Sequence, residues 1–318
     1  MTDLDATSAV QPRVALATFS GLPDLDPDDA PVLVALAERG VDARAAVWDD
    51  SAVDWSQFDL VVVRDTWDYT ERHEEFLAWT RHVEDVSRLA NPAGVIAWNS
   101  DKVYLRDFAA HGIAVVPTIW LNPGPEMNGR KIHTRFPAFG EFVIKPTVSA
   151  GSKDTARYRA DDTDDRGKAV LHAKGLLQAG RSTMLQPYLT DVDVAGETTM
   201  VYIDGELSHV MRKGPLLTRF TAVSDQPYLE EDMATREPTE QERALADRVV
   251  AALGDVLAAA GHPVDEPLLY FRIDLLPGAD GQPVLIELEA TEPSLFLRFD
   301  AGAVDRFADA IVRRLGRA

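Results

Sequence analysis

The sequence predicts a mixed α/β protein that begins with a Rossmann-like parallel sheet and ends in antiparallel sheets. Strand patterns alternate with helical patterns over the first hundred residues, which is typical of parallel βαβ units. Two later stretches read as hairpins, because short turns rich in Gly and Asp separate their strand-like segments. With 318 residues, 46% of them hydrophobic, the chain is long enough to bury a large core and to divide into two or three domains.

The N-terminal unit is predicted to run from residue 1 to residue 100. Its third strand is a continuous apolar run, typical of a parallel strand that is covered on both faces. Strands are expected at 13–19, 41–48 and 59–69, helices at about 29–39 and 73–86, a short strand near GVIAW (94–98), and a further helix that begins at Asp101.

Shorter strands follow in a central domain, predicted at 101–189, and hairpins dominate a C-terminal domain, predicted at 190–318. In the central domain we expect strands at 118–121, 141–148, 155–160 and 183–189 and a helix at about 165–179. In the C-terminal domain we expect a hairpin at 196–214 that turns at Asp204-Gly205, a helix at about 239–260, a hairpin at 267–289 and a helix at 303–315.

The composition excludes several classes of protein. The formal net charge is −20 at pH 7, so a nucleic-acid groove and an anionic membrane surface are not expected partners. The chain has no cysteine, which rules out disulfides, thiolate zinc sites and cysteine nucleophiles. Neither a membrane-spanning run nor a signal-peptide pattern is recognisable. We therefore expect a cytoplasmic protein that acts on a small molecule.

Clustered acids end the second predicted hairpin. Pairing FRIDLL with VLIELE places Asp274 roughly opposite Glu287, with Glu289 two residues further on the same face. Like charges that face each other destabilise a sheet, so a divalent cation between these three carboxylates would explain the pattern. Oxygen ligands favour Mg²⁺ over zinc. On this interpretation, removing Glu287 relieves crowding in the ligand-free protein. The alternative is a solvated acidic strand end that Arg272 balances.

Nucleotide phosphates need a different site, because neither GxxxxGK[ST] nor GxGxxG occurs in the chain. In FVIKPTVSAGSKD, Lys145 ends a strand and precedes a turn of small residues whose backbone N–H groups can contact phosphate oxygens. The turn includes Ser149, Gly151 and Ser152. Lys102 lies in the first turn of a predicted helix, where a cation is unfavourable to the helix dipole and therefore points to a ligand. Taken alone, these features also suit a surface hairpin and an exposed helix start.

The segment TMLQPYLTDVDVAGE joins the predicted central and C-terminal domains. Four residues at a strand end can present backbone N–H and C=O groups to an adenine edge: Gln186, Pro187, Tyr188 and Leu189. Three acids that follow can meet a ribose hydroxyl: Asp191, Asp193 and Glu197. A plain linker is the alternative interpretation.

In this order, the motifs resemble the ATP-grasp superfamily, close to its glutathione synthetase-like ligases. The residues that carry the resemblance are NSDKVYL, FVIKP with the SAGS loop, LQPYL, HVMRKGP and RID…IELEATEPSLF. More narrowly, VVVRDTWDY, WNSDKVYL, HVMRKGP and ELEATEPSLFL are similar to the branch that contains the O-ureido-serine cyclo-ligase of the D-cycloserine pathway. The resemblance covers nearly the whole chain.

The resemblance implies an ATP-grasp fold, with ATP between a central lid and the C-terminal domain. Carried over by position, Lys102 and Lys145 bind phosphates and Gln186 to Leu189 bind adenine, with Asp193 our choice for the ribose. Mg²⁺, with Mn²⁺ as a substitute, is held by Asp274, Glu287 and Glu289. One departure is that many ATP-grasp enzymes end the metal motif as Glu-x-Asn, whereas this chain has Glu287-Leu288-Glu289.

The implied reaction is ATP-dependent formation of a C–N bond through an acyl phosphate. Arg212 and Arg272 are expected to steady the acyl phosphate and the oxyanion that follows. Lys213 is the poorer candidate, since adjacent strand residues point to opposite faces. Three functions stay open: an intramolecular ligase that closes a small ring, an intermolecular ligase that joins two amino acids, and a non-catalytic nucleotide-binding regulator. Assembly into a homo-oligomer is also left open.

The substrate is expected beyond the carboxyl ends of the N-terminal parallel strands. There RDTWDY offers Arg64 to pair with a carboxylate, Asp65 or Asp68 to pair with an ammonium, and Trp67 or Tyr69 as a wall. An acidic rim suits a zwitterionic amino acid better than a polyanion. The alternative is that an aromatic-rich strand end belongs to the core.

Overall fold

The computed structural model describes residues 11–215, 217 and 232–316. The acidic start of the chain, on which the signal-peptide prediction depends, lies mostly outside these residues. None of the described helices combines the length and the apolar composition needed to cross a bilayer.

A four-stranded parallel sheet with strand order β2-β1-β3-β4 forms the N-terminal part. All six residues of β3 are buried, as expected for a parallel strand covered on both faces. The predicted βαβ pattern is therefore confirmed. The elements are β1 (Arg13–Thr18), α1 (Pro31–Glu38), β2 (Asp42–Val47), β3 (Leu60–Asp65), α2 (His73–Val86), β4 (Leu89–Ala90) and α3 (Ala93–Asn99).

The prediction of a strand at GVIAW is wrong, because these residues belong to helix α3. Val95 packs into a core beneath the C-terminal sheet, whereas Ile96 packs into the core of the N-terminal sheet. A short helix that is buried on two sides is apolar all round. Its apolar run therefore has the length and appearance of a buried strand.

An antiparallel sheet with strand order β5-β8-β6-β7 forms the central part. Side chains alternate across β6, so that Phe142 and Ile144 enter the core under the helices, whereas Val143 and Lys145 line a cavity on the other face. Asp101 caps a 3₁₀ turn at Lys102–Tyr104. The elements are α4 (Leu105–Ala110), β5 (Ile119–Leu121), α5 (Gly129–His133), β6 (Glu141–Pro146), β7 (Ala156–Arg159), α6 (Thr163–Gln178) and β8 (Thr183–Pro187).

A five-stranded antiparallel sheet with strand order β11-β10-β9-β12-β13 forms the C-terminal part. Its register pairs Asp274 with Glu287 and Arg272 with Glu289, so the predicted pairing is confirmed. The elements are α7 (Val192–Ala195), β9 (Glu197–Ile203), β10 (Glu206–Lys213), β11 (Met233–Thr235), α8 (Glu240–Ala259), β12 (Tyr270–Pro277), β13 (Pro283–Glu289) and α9 (Ala303–Gly316).

The β9–β10 turn has the predicted residues, Asp204 and Gly205, both with positive φ. Their φ angles of 51° and 84° suit the two-residue turns that match strand twist. At Gly205 a Cβ would also lie 2.9 Å from the side chain of Pro267. Both this close contact and the positive φ favour glycine at the position.

Two helices fix the C-terminal sheet in the molecule. Helix α8 opens with a capping box between Thr239 and Glu242 and covers one face of the sheet with an apolar stripe. Helix α9 packs with α1, and both share a core with the N-terminal and C-terminal sheets. This core joins the two ends of the chain. The predicted fold class is confirmed, whereas the domain limits at residues 100 and 189 stay a prediction.

Candidate active site

A cavity of about 440 Å³ is lined by residues from the N-terminal, central and C-terminal parts of the chain. Its size lies within the range of small-molecule sites, about 300–1,000 Å³. Most of the side chains predicted to bind ATP and metal line it, as described below.

Three carboxylates converge at one side of the cavity. Oxygen atoms of Asp274, Glu287 and Glu289 all lie within 4.8 Å of one another. Asp274 is buried and the two glutamates are half-buried. The oxygen-only donor set and the spacing fit a hard divalent cation such as Mg²⁺.

Two lysines face Glu287 from the central part of the chain. The Nζ atom of Lys145 donates to Glu287 Oε1 at 2.8 Å, and Lys102 Nζ lies 3.8 Å from the same oxygen. Lys102 also donates to the backbone carbonyl of Ser149 at 2.7 Å, which ties it to the small-residue loop. Burial alone would raise the pKa of Glu287, but the two lysines together hold it well below its ordinary value.

Arg272 bridges the other two acids. Its Nη2 atom donates to Asp274 Oδ2 at 2.7 Å and to Glu289 Oε1 at 2.6 Å. Burial, which Arg272 offsets only in part, raises the pKa of Glu289 to about 7. Asp274 is also buried, but the charges of Arg272 and Lys213 lower its pKa. Four cationic side chains thus stabilise the acidic trio in the ligand-free protein, and the alternative in which Arg272 alone balances a solvated strand end is wrong.

The small-residue loop after β6 borders the cavity with Ser149, Gly151 and Ser152. Gly151 and Ser152 have φ of 57° and 59°, in the left-handed region. Successive residues near this region can turn backbone N–H groups toward an anion. The loop therefore remains the candidate for phosphate oxygens.

The predicted adenine segment lines the cavity with all four of its residues, Gln186, Pro187, Tyr188 and Leu189. Asp193 is not part of the cavity lining. Its carboxylate accepts from the Tyr188 hydroxyl and lies 3.3 Å from Arg157, whose guanidinium stacks 3.4 Å from the Tyr188 ring centroid. Asp193 therefore contacts Tyr188 from outside the cavity lining, and its contact with the ribose stays a prediction.

The structure places Lys213 at the cavity and Arg212 outside it, the reverse of the prediction. Lys213 lines the cavity, pairs with Glu197 and lies 3.4 Å from Asp274 Oδ2. Arg212 points away from the cavity and donates to backbone carbonyls of Ala195 and Val194. The prediction of Arg212 as a catalytic residue is therefore wrong. Alternation does put the two side chains on opposite faces, but the pairing of β10 with β9 turns Lys213 toward the site.

Arg64 lies outside the cavity. It is only 1% exposed, and its guanidinium donates to Asp29 Oδ2 at 2.8 Å and to the Pro293 carbonyl at 2.9 Å. The prediction that Arg64 binds a substrate carboxylate is therefore corrected: burial and an internal acid engage its charge. The end of β3 at Arg64 is therefore covered by the rest of the protein.

Asp65 also lies outside the main cavity, at a small second cavity that shares Trp67 and Phe296 with the first. Asp65 Oδ2 accepts from the backbone N–H of Asp26 at 2.7 Å. Burial, followed by the charge of Asp29, raises the pKa of Asp65 to about 8. Because Asp65 lies outside the main cavity and already accepts a backbone hydrogen bond, the prediction that it binds a substrate ammonium there is corrected.

Trp67, Asp68 and Tyr69 line the main cavity, as predicted. Asp68 accepts from Trp48 Nε1 at 2.8 Å and lies 3.8 Å from Arg72, so its carboxylate already has internal partners. Tyr69 is buried and hydrogen-bonds through its hydroxyl to Glu292.

Three residues of the cavity were missed or undervalued from sequence: Glu197, Lys213 and Glu292. Burial raises the pKa of Glu197 to about 7 against the opposing charge of Lys213. A signal for Glu197 and Lys213 was present, because they face each other across the first hairpin once its Asp204-Gly205 turn sets the register. Glu292 lies after the last strand, where no periodicity predicts orientation.

Proteins similar to this chain indicate the same class of enzyme as the site does. The family model for the N-terminal domain of D-cycloserine synthetase DcsG matches residues 14–91. Cycloserine biosynthesis protein DcsG of Streptomyces lavendulae is 40% identical over 304 residues, which are 95% of this chain and 98% of the relative. The crystal structure of D-cycloserine synthetase DcsG is 38% identical with a TM-score of 0.85, covering 95% of this chain and 99% of that one.

A more distant neighbour extends the comparison of folds. D-alanine–D-alanine ligase from Bacillus anthracis, complexed with ATP, has a TM-score of 0.62 at 13% identity, covering 96% of this chain and 97% of that chain. This likeness concerns the fold alone.

A parallel N-terminal sheet, two antiparallel sheets and a shared cavity of lysines and carboxylates define an ATP-grasp ligase. Within that class, the chain belongs to the DcsG family. The predicted superfamily and branch are confirmed.

Proposed function

We propose that this protein is an ATP- and Mg²⁺-dependent carboxylate–amine ligase that closes a small ring from one amino-acid derivative in cycloserine biosynthesis. The observation that carries the proposal is that the acidic trio, the lysines and the adenine segment line one cavity. The DcsG relative, a cycloserine biosynthesis protein at 40% identity, supports the choice of pathway.

The ATP site is built from the central and C-terminal parts. We assign the adenine to the backbone of Gln186–Leu189 and the phosphates to the Ser149–Ser152 loop, with Lys102 and Lys145 beside them. These two lysines now neutralise Glu287, and bound phosphates would compete for them. Lys213, which lies at the Asp274 side, is the third cation in reach of the phosphates. In this assignment, ATP lies where the proposed central domain (101–189) meets the proposed C-terminal domain (190–318).

Asp274, Glu287 and Glu289 would hold the Mg²⁺. When bound, the metal offsets the negative charge of the phosphates during transfer. Glu289 stands where many relatives of this superfamily carry Asn, and Arg272 already contacts it at 2.6 Å. The guanidinium thereby cancels the additional charge.

The reaction has two steps. An oxygen of the substrate carboxylate attacks the γ-phosphorus, the bond to the β–γ bridging oxygen breaks, and ADP leaves. A nitrogen of the same substrate then attacks the acyl carbon, loses its proton, and inorganic phosphate leaves as the C–N bond forms. Arg272 lies at the acidic trio and faces the cavity, so we assign to it the charge that develops on the acyl oxygen.

The test is ADP release from ATP and Mg²⁺ with O-ureido-serine and a panel of amino acids, followed by mass spectrometry of the product. A product built from one amino-acid molecule supports ring closure, and one built from two supports an intermolecular ligase. Hydroxylamine added during turnover should trap the acyl phosphate as a hydroxamate. ATP binding without ADP release for any carboxylate would refute the ligase and favour the regulator.

A further inference from the structure

Glu292 differs from the other carboxylates of the cavity in forming no ion pair with any Lys or Arg in the part of the chain that the structure describes. Six carboxylates that line the cavity each have a Lys or Arg nitrogen within 3.8 Å: Asp68, Glu71, Glu197, Asp274, Glu287 and Glu289. Among the described residues, Glu292 forms no such ion pair, although it is only 8% exposed. A buried carboxylate without a cation is costly, so this position calls for an external positive charge.

The segment that carries Glu292 is held rigidly on both sides. The Thr291 carbonyl accepts from the Tyr270 hydroxyl at 2.9 Å, and the Pro293 carbonyl accepts from Arg64 at 2.9 Å. The next two carbonyls, of Ser294 and Leu295, lie 3.2 Å from Arg272 Nη1 and 2.8 Å from His209 Nε2. Side chains from three elements thus fix the backbone around one acid. Such pre-organisation is typical of a binding group and not of a loose surface loop.

The residues around Glu292 indicate the kind of ligand that it would bind. Its carboxyl meets the Tyr69 hydroxyl, and the aromatic rings of Trp67 and Phe296 line the same cavity. The charges of Lys102 and Arg272 reach it. Burial, with the charge of Glu289, raises the pKa of Glu292 to about 8, so a bound cation would restore its charged form.

We propose that Glu292 binds the α-ammonium of the amino-acid substrate, while the carboxylate on the same carbon is directed toward Arg272 and the acidic trio. An α-amino acid carries these two groups next to each other, so the acid that holds the ammonium has to lie beside the residues that activate the carboxylate. Glu292 meets this requirement, being three residues after Glu289 in the segment that Arg272 contacts. The inference rests on the proposed ligase function.

The test compares Glu292→Gln with the wild-type protein. Calorimetry would measure the affinity for O-ureido-serine in the presence of Mg²⁺ and a non-hydrolysable ATP analogue. We expect roughly 10- to 100-fold weaker binding by the variant, because a charged hydrogen bond in a desolvated site is lost. Affinity for the ATP analogue should change less than threefold, which also reports that the variant is folded. The matched control, Glu71→Gln, removes a rim carboxylate already paired with Lys153 and should bind the amino acid like wild type.

A second measurement compares the amino-acid substrate with its des-amino analogue, in the wild-type protein and in Glu292→Gln. The analogue should bind about 10- to 100-fold more weakly than the amino acid, and Glu292→Gln should abolish that preference. Equal binding of the two compounds by wild type, or a retained preference in the variant, would overturn the assignment. A larger loss in Asp68→Asn than in Glu292→Gln would move the ammonium to Asp68. ADP release from neither compound would instead refute the ligase function itself.

Discussion

Glu287 is the acid that pairs with Lys102 and Lys145. Lys145 and Lys102 approach the same carboxylate oxygen, and both lysine side chains are largely buried. Removing the carboxylate therefore leaves two buried ammonium groups without their partner. Crowding of the carboxylates alone predicts that loss of Glu287 stabilises the ligand-free protein. The contacts with the two lysines lead us to expect the opposite.

We predict that Glu287→Ala lowers the free energy of unfolding by about 3 kcal/mol, since breaking a buried pair exposes the cost of the remaining charge. ADP formation should fall at least about 100-fold, because a proposed metal ligand is lost. Urea denaturation and a coupled ADP assay measure the two effects. Glu206→Ala, an exposed glutamate of β10, is the control and should change stability by less than about 0.5 kcal/mol. Normal turnover by Glu287→Ala would contradict the metal role.

Asp65 gives a pH dependence with a defined sign. Its pKa is raised by burial to about 8 in the folded protein, whereas an unfolded Asp titrates near about 4. Between these values the unfolded chain has released the proton and the folded chain still holds it. Stability therefore falls as the pH rises through this window and levels off above pH 8.

The substitution Asp65→Asn should remove the pH-dependent contribution of Asp65 to stability. We expect the variant to gain stability relative to wild type at pH 8.5 and to match it at pH 4, in urea denaturation at the two pH values. Asp24→Asn, an exposed carboxylate of the loop before α1, controls for the change in net charge. A pH-independent difference between Asp65→Asn and wild type would show that folding does not change the pKa of Asp65.

Two neighbouring cationic residues of strand β10 point to opposite faces of the sheet. Lys213 faces the cavity between Glu197 and Asp274, and Arg212 caps backbone carbonyls at the end of α7. Neighbouring residues of like charge thus serve different parts of the molecule. Only the sheet pairing decides which of them faces the cavity.

This division predicts a pair of kinetic outcomes. Lys213→Met should lower kcat about 100-fold, because a cation of the proposed phosphate site is lost. Arg212→Met should keep kcat within about threefold and lower the free energy of unfolding by about 1 kcal/mol, the typical cost of lost side-chain hydrogen bonds to backbone. Steady-state ADP release and thermal denaturation measure both variants. The reverse order of kcat losses would restore Arg212 as the catalytic residue.

Much of the secondary structure was predictable because period-two and period-3.6 patterns are local. The hairpin register that pairs Asp274 with Glu287 follows from alternation and the turn position. Helix α3 was not predictable, since its burial on two sides erased the helical pattern.

Arg64 joins the two ends of the chain. It lies at the end of β3, pairs with Asp29 and reaches the carbonyl of Pro293 after the last strand of the C-terminal sheet. Its guanidinium also lies 5.0 Å from the Tyr270 ring centroid and 5.6 Å from that of Phe307. Arg64 therefore contacts groups on both sides of the interface between the N-terminal and C-terminal sheets.

We predict that Arg64→Met destabilises the protein by about 3 kcal/mol, because Asp29 is left as an unpaired buried charge. The double variant Arg64→Met/Asp29→Leu should recover part of this loss, since neither charge remains. Denaturant unfolding of the single and double variants measures the coupling. Wild-type stability of Arg64→Met, combined with weakened substrate binding, would return Arg64 to the substrate site.

The sequence by itself determined most of the strands and helices, the acidic trio, the two lysines that face Glu287 and the family, because each depends on local periodicity or on a short contiguous motif. Only the tertiary structure decided which face of β10 meets the cavity, that Arg64 and Asp65 lie outside that cavity, and that Glu292 lines it without an ion pair to any residue that the structure describes. Those outcomes depend on which surfaces pack together, and burial then sets the cost and the partner of every charge.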